Sequence, residues 1–235
     1  MYSMGYMAMK PEFWRSKRFI AIVIIAVLVP SVLMVALKID IGLREQENED
    51  TVLEYFSRQT GMNETFAQLE QLTPSGSVVL CWWDYGRAVT EWSHRKAIES
   101  YPSRDIWNSV GASQDPWHNL GAQLFGTWGS SKKIHDIAAM FILPEVSSMA
   151  AMRDYGVSYV LVFEPDELQK FSWIAKIAGC NATDYLIEEQ NEYRPTELGA
   201  QSTLLRLIFD DEFPPEHFTK LFDNGKGKIY HVDYP

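Results

Sequence analysis

The chain has 235 residues, a length that suits one sizeable domain with an appended segment. It has 31 acidic and 21 basic residues and a formal net charge of −10, which argues against nucleic acid as a partner. The two cysteines, Cys81 and Cys180, form no CxxC motif and are too few for a disulfide framework. Two buried thiols are the favoured interpretation, and a single disulfide is the alternative.

A long apolar segment comes first along the chain. Residues 19–37 are uncharged and almost entirely apolar, and as a helix they would cross the roughly 30 Å core of a bilayer. A secretory signal peptide is the alternative, but the run exceeds a typical h-region and no small-residue cleavage site is obvious after it. We therefore expect a basic flank over residues 1–18 and a transmembrane helix over residues 19–41.

The charges on either side of this segment predict its orientation. The basic residues before it are Lys10, Arg15, Lys17 and Arg18. Lys38 and Arg44 come after it, followed by an acidic stretch at residues 45–50. Because positively charged flanks stay in the cytoplasm, we expect a single-pass membrane protein with a cytoplasmic N-terminus and an extracytoplasmic globular domain over residues 42–235.

The first part of that domain contains one clear strand. Residues 43–59 have the apolar spacing of a helix, and a turn signal at residues 73–76 precedes an apolar run at Ser77–Trp82. This run is typical of a buried strand. Residues 100–131 are rich in Gly, Ser, Pro and aromatic residues, which predicts a long ordered loop with short helical turns.

Helices and strands alternate in the second half. The pattern first predicts a helix from Ile134 stopped by Pro144 and a helix over residues 145–155 ended by Gly156. It then predicts a strand at Val157–Phe163 and a helix opened by Pro165, with Asp166 as N-cap and Gln169 as its capping-box partner. A helix over residues 202–209 and a strand over residues 228–232 follow. This alternation predicts an α/β fold with a mixed, partly parallel sheet flanked by helices.

A distinctive pentapeptide follows the first predicted strand. It reads Trp82-Trp83-Asp84-Tyr85-Gly86. Each tryptophan wants a buried ring and a partner for its indole N–H, Asp84 can accept hydrogen bonds, and Gly86 permits a sharp turn. In α/β sheets, ligands bind outside the carboxyl ends of the strands. Residues 166–170 begin at the carboxyl end of the other buried strand, so parallel strands would bring both segments to one site.

This pentapeptide resembles the signature of the oligosaccharyltransferase catalytic subunit family, in which it recognises the Ser/Thr hydroxyl of an Asn-x-Ser/Thr acceptor. Residues 167–177 are similar to that family's second motif, an acidic-x-x-Lys helix ending in Met or Ile, with Lys170 and Ile174 at matching positions. The spacing puts the acidic position at Glu167, but Asp166 could equally pair with Lys170. The resemblance covers the family's last transmembrane helix and C-terminal globular domain, in the archaeal style.

The resemblance implies an acceptor-binding site. Its predicted members are Trp82, Trp83, Asp84, Tyr85, Gly86, Glu167, Lys170 and Ile174. Within this set, the Trp-Trp-Asp group would hydrogen-bond the acceptor hydroxyl and Ile174 would pack on the threonine methyl. Tyr85 and Gly86 would shape the turn, and Lys170 would position the loop or an acidic neighbour.

Catalysis is expected to lie elsewhere. The family transfers a lipid-linked oligosaccharide to the Asn amide with acidic residues, including Asp-x-Asp, and a Mn²⁺ or Mg²⁺ ion between earlier membrane helices. This sequence has no Asp-x-Asp, and its five histidines show no ligand spacing. We therefore expect no catalytic residue, metal or cofactor in this chain, and Mn²⁺ or Mg²⁺ in the complete enzyme. Expected partners are an Asn-x-Ser/Thr polypeptide, the membrane and, through the missing region, the lipid-linked oligosaccharide.

Two other interpretations remain. The chain could be a non-catalytic single-pass protein that binds such peptides, or an anchored α/β domain whose tryptophans belong only to the core. The sequence also contains two acceptor sequences of its own, Asn63-Glu64-Thr65 and Asn181-Ala182-Thr183. These are either glycosylation sites or chance occurrences.

Overall fold

The structure is a computed structural model and describes residues 27–28, 31–32, 61–111, 123, 126–189 and 192–235. The chain divides into two compact units, residues 1–49 and 50–235. In the first unit the four described residues are helical and exposed. Apart from these four, the predicted basic flank, the membrane helix over 19–41 and the helix over 43–59 lie outside the described residues. Within the described ranges, no helix is long and apolar enough to cross a membrane.

The second unit is a mixed α/β domain. Its helices are α1 Met62–Leu72, α2 Gly86–Glu91, α3 Ser131–Ile142, α4 Glu145–Asp154, α5 Glu164–Ile177 and α6 Thr203–Ile208. Its strands are β1 Val78–Leu80, β2 Lys96–Ala97, β3 Val157–Phe163, β4 Leu186–Glu189, β5 Glu192–Pro195, β6 Phe218–Asp223 and β7 Gly227–Val232. Short 3-10 turns occupy Trp83–Tyr85, Ala182–Asp184 and Gly199–Gln201, and a helical turn at Arg104–Ile106 continues into a π-helical turn at Trp107–Gly111.

Five strands form the main sheet, in the order β2-β1-β3-β7-β6. β1 pairs in parallel with both β2 and β3, and Leu80 lies opposite Val160. β3 pairs antiparallel with β7, and β7 pairs antiparallel with β6. β4 and β5 form a separate antiparallel pair. The predicted mixed, partly parallel sheet is therefore confirmed.

The core lies on both sides of β3. This strand is buried at every position except Ser158, as expected for a nearly continuous apolar run in the middle of a sheet. α3 packs against α4, α5 and α6, while α1 packs against β6 and β7. The helices predicted before Pro144 and Gly156 are confirmed, and Gly156 takes the positive φ of 67° that lets α4 end there.

One predicted helix start is wrong. α5 begins at Glu164, with Phe163 as its N-cap and Pro165 in its first turn. Proline is tolerated in the first helical turn because the N–H groups there have no partner within the helix. Asp166 therefore lies inside the first turn and is not the N-cap, and the predicted capping box with Gln169 does not form.

The cysteines agree with the thiol interpretation in part. Both are free. Cys81 is buried, and burial together with the nearby Asp84 and Glu167 raises the pKa of its thiol well above the ordinary value. Cys180 is only partly buried, so the prediction of two buried thiols holds for Cys81 alone.

Candidate functional site at the carboxyl edge of the parallel strands

The two predicted site segments meet at one edge of the sheet. β1 and β3 run parallel, so their carboxyl ends point the same way. The 3-10 turn at Trp83–Tyr85 follows β1, and α5 follows β3 without a gap. Four side chains from these segments contact one another, and we call them the edge cluster: Asp84, Tyr85, Asp166 and Lys170.

Lys170 holds the edge cluster together. Its ammonium donates to Asp84 Oδ2, donates to Asp166 Oδ2 at 2.6 Å, and lies 3.5 Å from the Tyr85 hydroxyl oxygen. The same nitrogen sits 4.8 Å from the centre of the Tyr85 ring, within range of a cation–π interaction. One cation on α5 thus fixes a carboxylate on the β1 turn.

Tyr85 connects the turn after β1 to the first turn of α5. Its side chain is fully buried, its ring lies 4.8 Å from that of Phe163, and its hydroxyl donates to Asp166 Oδ2. Burial raises the pKa of the Tyr85 hydroxyl well above the ordinary value, and the neighbouring carboxylates add to the effect. The hydroxyl therefore stays protonated and acts as a donor to Asp166.

Burial and the neighbouring charges act in opposite directions on the pKa values of Asp84 and Lys170. Burial raises the pKa of Asp84 even though Lys170 acts in the opposite direction. Burial also disfavours the charged form of Lys170, but Asp84 and Asp166 outweigh it and the pKa of the ammonium is raised. The lysine is consequently charged at physiological pH, and it is the group that keeps Asp84 able to ionise.

Two buried polar atoms of the pentapeptide have no hydrogen-bond partner among the residues that the structure describes. These buried atoms are Trp83 Nε1, a donor, and Asp84 Oδ1, an acceptor. A buried polar group without a partner costs about 1–3 kcal/mol. Trp82 is buried beside them, with its ring centre 6.4 Å from that of Trp83. The tryptophan pair thus combines one core residue with one half-buried residue whose N–H has no partner among the described residues.

Gly86 serves a close approach and not a special backbone angle. Its φ is −57°, an ordinary helical value, and it begins α2. A Cβ at this position would collide with the carbonyl oxygen of Glu99 and lie 2.9 Å from Ser100 Cα. Glycine is therefore needed at position 86 because of this close approach and not because of the sharp turn that the sequence predicts. A backbone segment crosses directly over Gly86.

The structure separates the two acidic candidates of the second motif. Asp166 pairs with Lys170 across one turn of α5, whereas Glu167 is fully buried and its Oε2 accepts the Phe163 N–H at 2.6 Å. Burial raises the pKa of Glu167 well above the ordinary value. Glu167, the residue at the family spacing, thus binds the backbone where β3 meets α5, and the lysine partner is Asp166.

Ile174 lies in the core. Its side chain has no exposed surface and belongs to the main hydrophobic cluster. It follows Lys170 by one turn of α5, on the side away from the start of the helix. A contact between Ile174 and a bound threonine methyl, as the resemblance implies, would need α5 or its neighbours to move.

In the part of the chain that the structure describes, no group of three or more His, Cys, Asp or Glu side chains is placed to hold a metal ion. Within the edge cluster, both carboxylates already face the Lys170 ammonium.

The fold and this site define a small α/β domain in which a lysine pairs with a carboxylate beside two tryptophans at the carboxyl edge of the parallel strands.

No protein-family model matches the chain. It is 26% identical to the STT3B subunit of dolichyl-diphosphooligosaccharide–protein glycosyltransferase from Oryza sativa over 157 residues, which cover 62% of this chain and 18% of that protein. The STT3B subunit of Arabidopsis thaliana is 25% identical over 157 residues, with the same coverage.

The chain is thus related in sequence to oligosaccharyltransferase catalytic subunits, and the predicted resemblance is confirmed. It spans less than a fifth of the length of the curated relatives it matches. Among solved structures, it is similar to the C-terminal globular domain of an oligosaccharyltransferase from Archaeoglobus fulgidus, with 19% identity, a TM-score of 0.49, and coverage of 74% of this chain and 97% of that domain.

Proposed function

We propose that this domain grips the hydroxyl of an Asn-x-Ser/Thr acceptor, as the acceptor-recognition part of an oligosaccharyltransferase of archaeal type. The observation that carries the proposal is the pair of buried atoms Trp83 Nε1 and Asp84 Oδ1, which lack partners among the described residues. A Ser/Thr hydroxyl accepts one hydrogen bond and donates another. It can therefore accept from the indole N–H and donate to the carboxylate.

The edge cluster makes this arrangement selective. Lys170 occupies one oxygen of Asp84 and leaves the other for a ligand. A residue without a hydroxyl would bury both atoms unpaired, and such sites reject analogues strongly for that reason. Because Trp83 is only half-buried, a shift of its ring can admit the acceptor.

The reaction of the complete enzyme is part of the same proposal. The acceptor asparagine would receive a lipid-linked oligosaccharide in a membrane region that carries the Asp-x-Asp residues and Mn²⁺ or Mg²⁺. The domain described here would hold the acceptor from the extracytoplasmic side, anchored by residues 19–41. The relatedness to STT3B subunits and the basic-to-acidic charge change across residues 19–41 support this assignment.

Peptide binding by the full 235-residue chain tests the proposal. Three fluorescent peptides that differ only at the third position are compared: Asn-x-Thr, Asn-x-Val and Asn-x-Ala. Valine has the shape of threonine but no hydroxyl. A hydrogen bond to a charged group contributes about 1.5–3 kcal/mol, so we expect the threonine peptide to bind roughly 10- to 150-fold more tightly than the valine peptide.

Matched variants locate the effect. Trp83→Phe keeps an aromatic ring but removes the N–H, and Asp84→Asn removes the charge. Both should reduce the preference for threonine over valine. Trp173→Phe is the control, because Trp173 lies on α5 with 40% of its surface exposed and contacts Lys176. Equal binding of the threonine and valine peptides to the unchanged chain would refute the proposal.

A further inference from the structure

The two Asn-x-Thr sequences of this chain lie in different surroundings. One begins at Asn63 in the first turn of α1, and the other begins at Asn181 just after α5. Attachment of a glycan requires access to both the asparagine amide and the hydroxyl two residues later. The surroundings of the two threonines therefore decide which sequence can act as an acceptor in the folded protein.

The Asn63 sequence is closed by the fold. Thr65 is fully buried, and its hydroxyl donates to the Gly61 carbonyl at 2.7 Å. The Thr65 N–H also donates to the same carbonyl, at 3.0 Å, as part of the α1 backbone. An enzyme that grips the hydroxyl would have to unwind the first turn of α1 to reach it.

The Asn181 sequence is open. The side chains of Asn181 and Thr183 are both exposed. Asn181 has an extended backbone, with φ −91° and ψ 120°. Its amide nitrogen donates to Thr183 Oγ1 at 2.8 Å and to Asp184 Oδ1 at 3.2 Å. The amide and the hydroxyl of this acceptor sequence thus lie side by side on the surface.

The position of Asn181 keeps a glycan away from the edge cluster. α5 starts at the edge cluster and has 14 residues, so it is about 21 Å long. Asn181 follows its far end. A glycan attached there would leave the proposed acceptor grip accessible.

We infer that Asn181 is a glycosylation site of the folded protein and that Asn63 is not. In the transfer, the Asn181 amide nitrogen forms a bond to the anomeric carbon of a lipid-linked oligosaccharide. The bond from that carbon to the phosphate oxygen breaks, the phosphate-bearing lipid leaves with the electron pair, and the amide nitrogen loses one proton to a base. The inference rests on the proposed function in one respect, because residues 42–235 must face the compartment where transfer occurs.

Mass spectrometry of the full chain from its native membranes tests the inference. After proteolysis, the peptide containing Asn181 should carry a glycan and the peptide containing Asn63 should not. Thr183→Ala should abolish the modification, and Thr183→Ser should retain it because the hydroxyl remains. Thr65→Ser is the matched control and should leave the glycan pattern unchanged.

An added Asn-x-Thr sequence after Pro235 reports the orientation of the domain. If this tail is glycosylated and Asn181 is not, the inference is overturned while the outward orientation stands. If both are bare, the orientation and the inference fail together. Glycans on both Asn63 and Asn181 would show that transfer precedes folding, which overturns the structural selection. The threonine-over-valine peptide preference tests the hydroxyl grip independently of all three outcomes.

Discussion

The assignment of Asp166, and not Glu167, as the partner of Lys170 leads to a sharp prediction. Asp166→Asn removes one of the two carboxylates that the Lys170 ammonium contacts. The amide oxygen can still accept from the Tyr85 hydroxyl, so the substitution mainly removes charge. Glu167→Gln is the matched substitution one residue further along the same helix.

The magnitude follows from the geometry. Lys170 Nζ lies 2.6 Å from Asp166 Oδ2, and the two side chains are 28% and 18% exposed. Two unit charges about 4 Å apart attract by roughly 4 kcal/mol at an effective dielectric constant of 20. Partial exposure and the relief of repulsion between Asp84 and Asp166 offset much of this attraction. We expect Asp166→Asn to lower the free energy of unfolding by about 1–2 kcal/mol.

Glu167→Gln should not lower the free energy of unfolding at neutral pH, because the amide oxygen can still accept the Phe163 N–H and the variant avoids the burial that raises the pKa of the carboxyl. Urea unfolding of the full chain at neutral pH, followed by tryptophan fluorescence, measures both variants. Asp166→Asn should also lower the melting temperature by roughly 2–8 °C for a domain of this size. A larger loss for Glu167→Gln than for Asp166→Asn would refute the assignment.

Three further predictions concern the same edge. Gly86→Ala should lower the free energy of unfolding by about 2–3 kcal/mol in urea, because the Glu99 carbonyl leaves no room for a Cβ; an unchanged midpoint contradicts the close approach. Tyr85→Phe should cost about 1 kcal/mol in the same assay, because the ring stays in place while the hydrogen bond to Asp166 and the weak contact with Lys170 are lost. A cost above about 3 kcal/mol would mean that the ring had moved. The pKa of Glu167 is raised in the folded state, so its carboxyl reduces the stability of the parent as pH rises above about 4.5. The free energy of unfolding of Glu167→Gln minus that of the parent should therefore increase with pH. A difference that does not change with pH would contradict the raised pKa.

The central part of the fold could be predicted from the sequence because its signals are local and strong. The apolar run at Val157–Phe163 predicts a strand covered on both faces, and that strand is the centre of the sheet. Its parallel pairing with the strand before the pentapeptide brings both motifs to one edge. Alternation of strands and helices was sufficient for this inference.

Other strands could not be predicted from the sequence because they bury little. β6 exposes most of its residues, and the pair formed by β4 and β5 is buried only at Leu186. β2 has only two residues. Strands this short or this exposed carry no alternating apolar pattern. Their pairing depends on the strand beside them, which is β1 for β2, β7 for β6, and the other member of the pair for β4 and β5.

The ambiguity between Asp166 and Glu167 shows where spacing stops being informative. Positions three and four residues before a lysine both lie on its helix face, so the sequence permits either pair. The choice is made by two contacts from outside the helix. The Phe163 N–H donates to the Glu167 carboxylate. The Tyr85 hydroxyl, 81 residues earlier in the chain than Asp166, donates to the Asp166 carboxylate. Neither contact has a local signal in the sequence.

These contacts also explain why the second motif matters to the first. Lys170 is kept charged by Asp84 and Asp166, and in turn it offsets the burial that raises the pKa of Asp84. It binds one oxygen of Asp84 and leaves the other without a partner among the described side chains. A hydroxyl grip made of Trp83 and Asp84 alone would lose its acceptor charge as Asp84 took up a proton. The helix that carries Lys170 is therefore a positioning element for the pentapeptide, and its acidic partner sets how firmly that lysine is held.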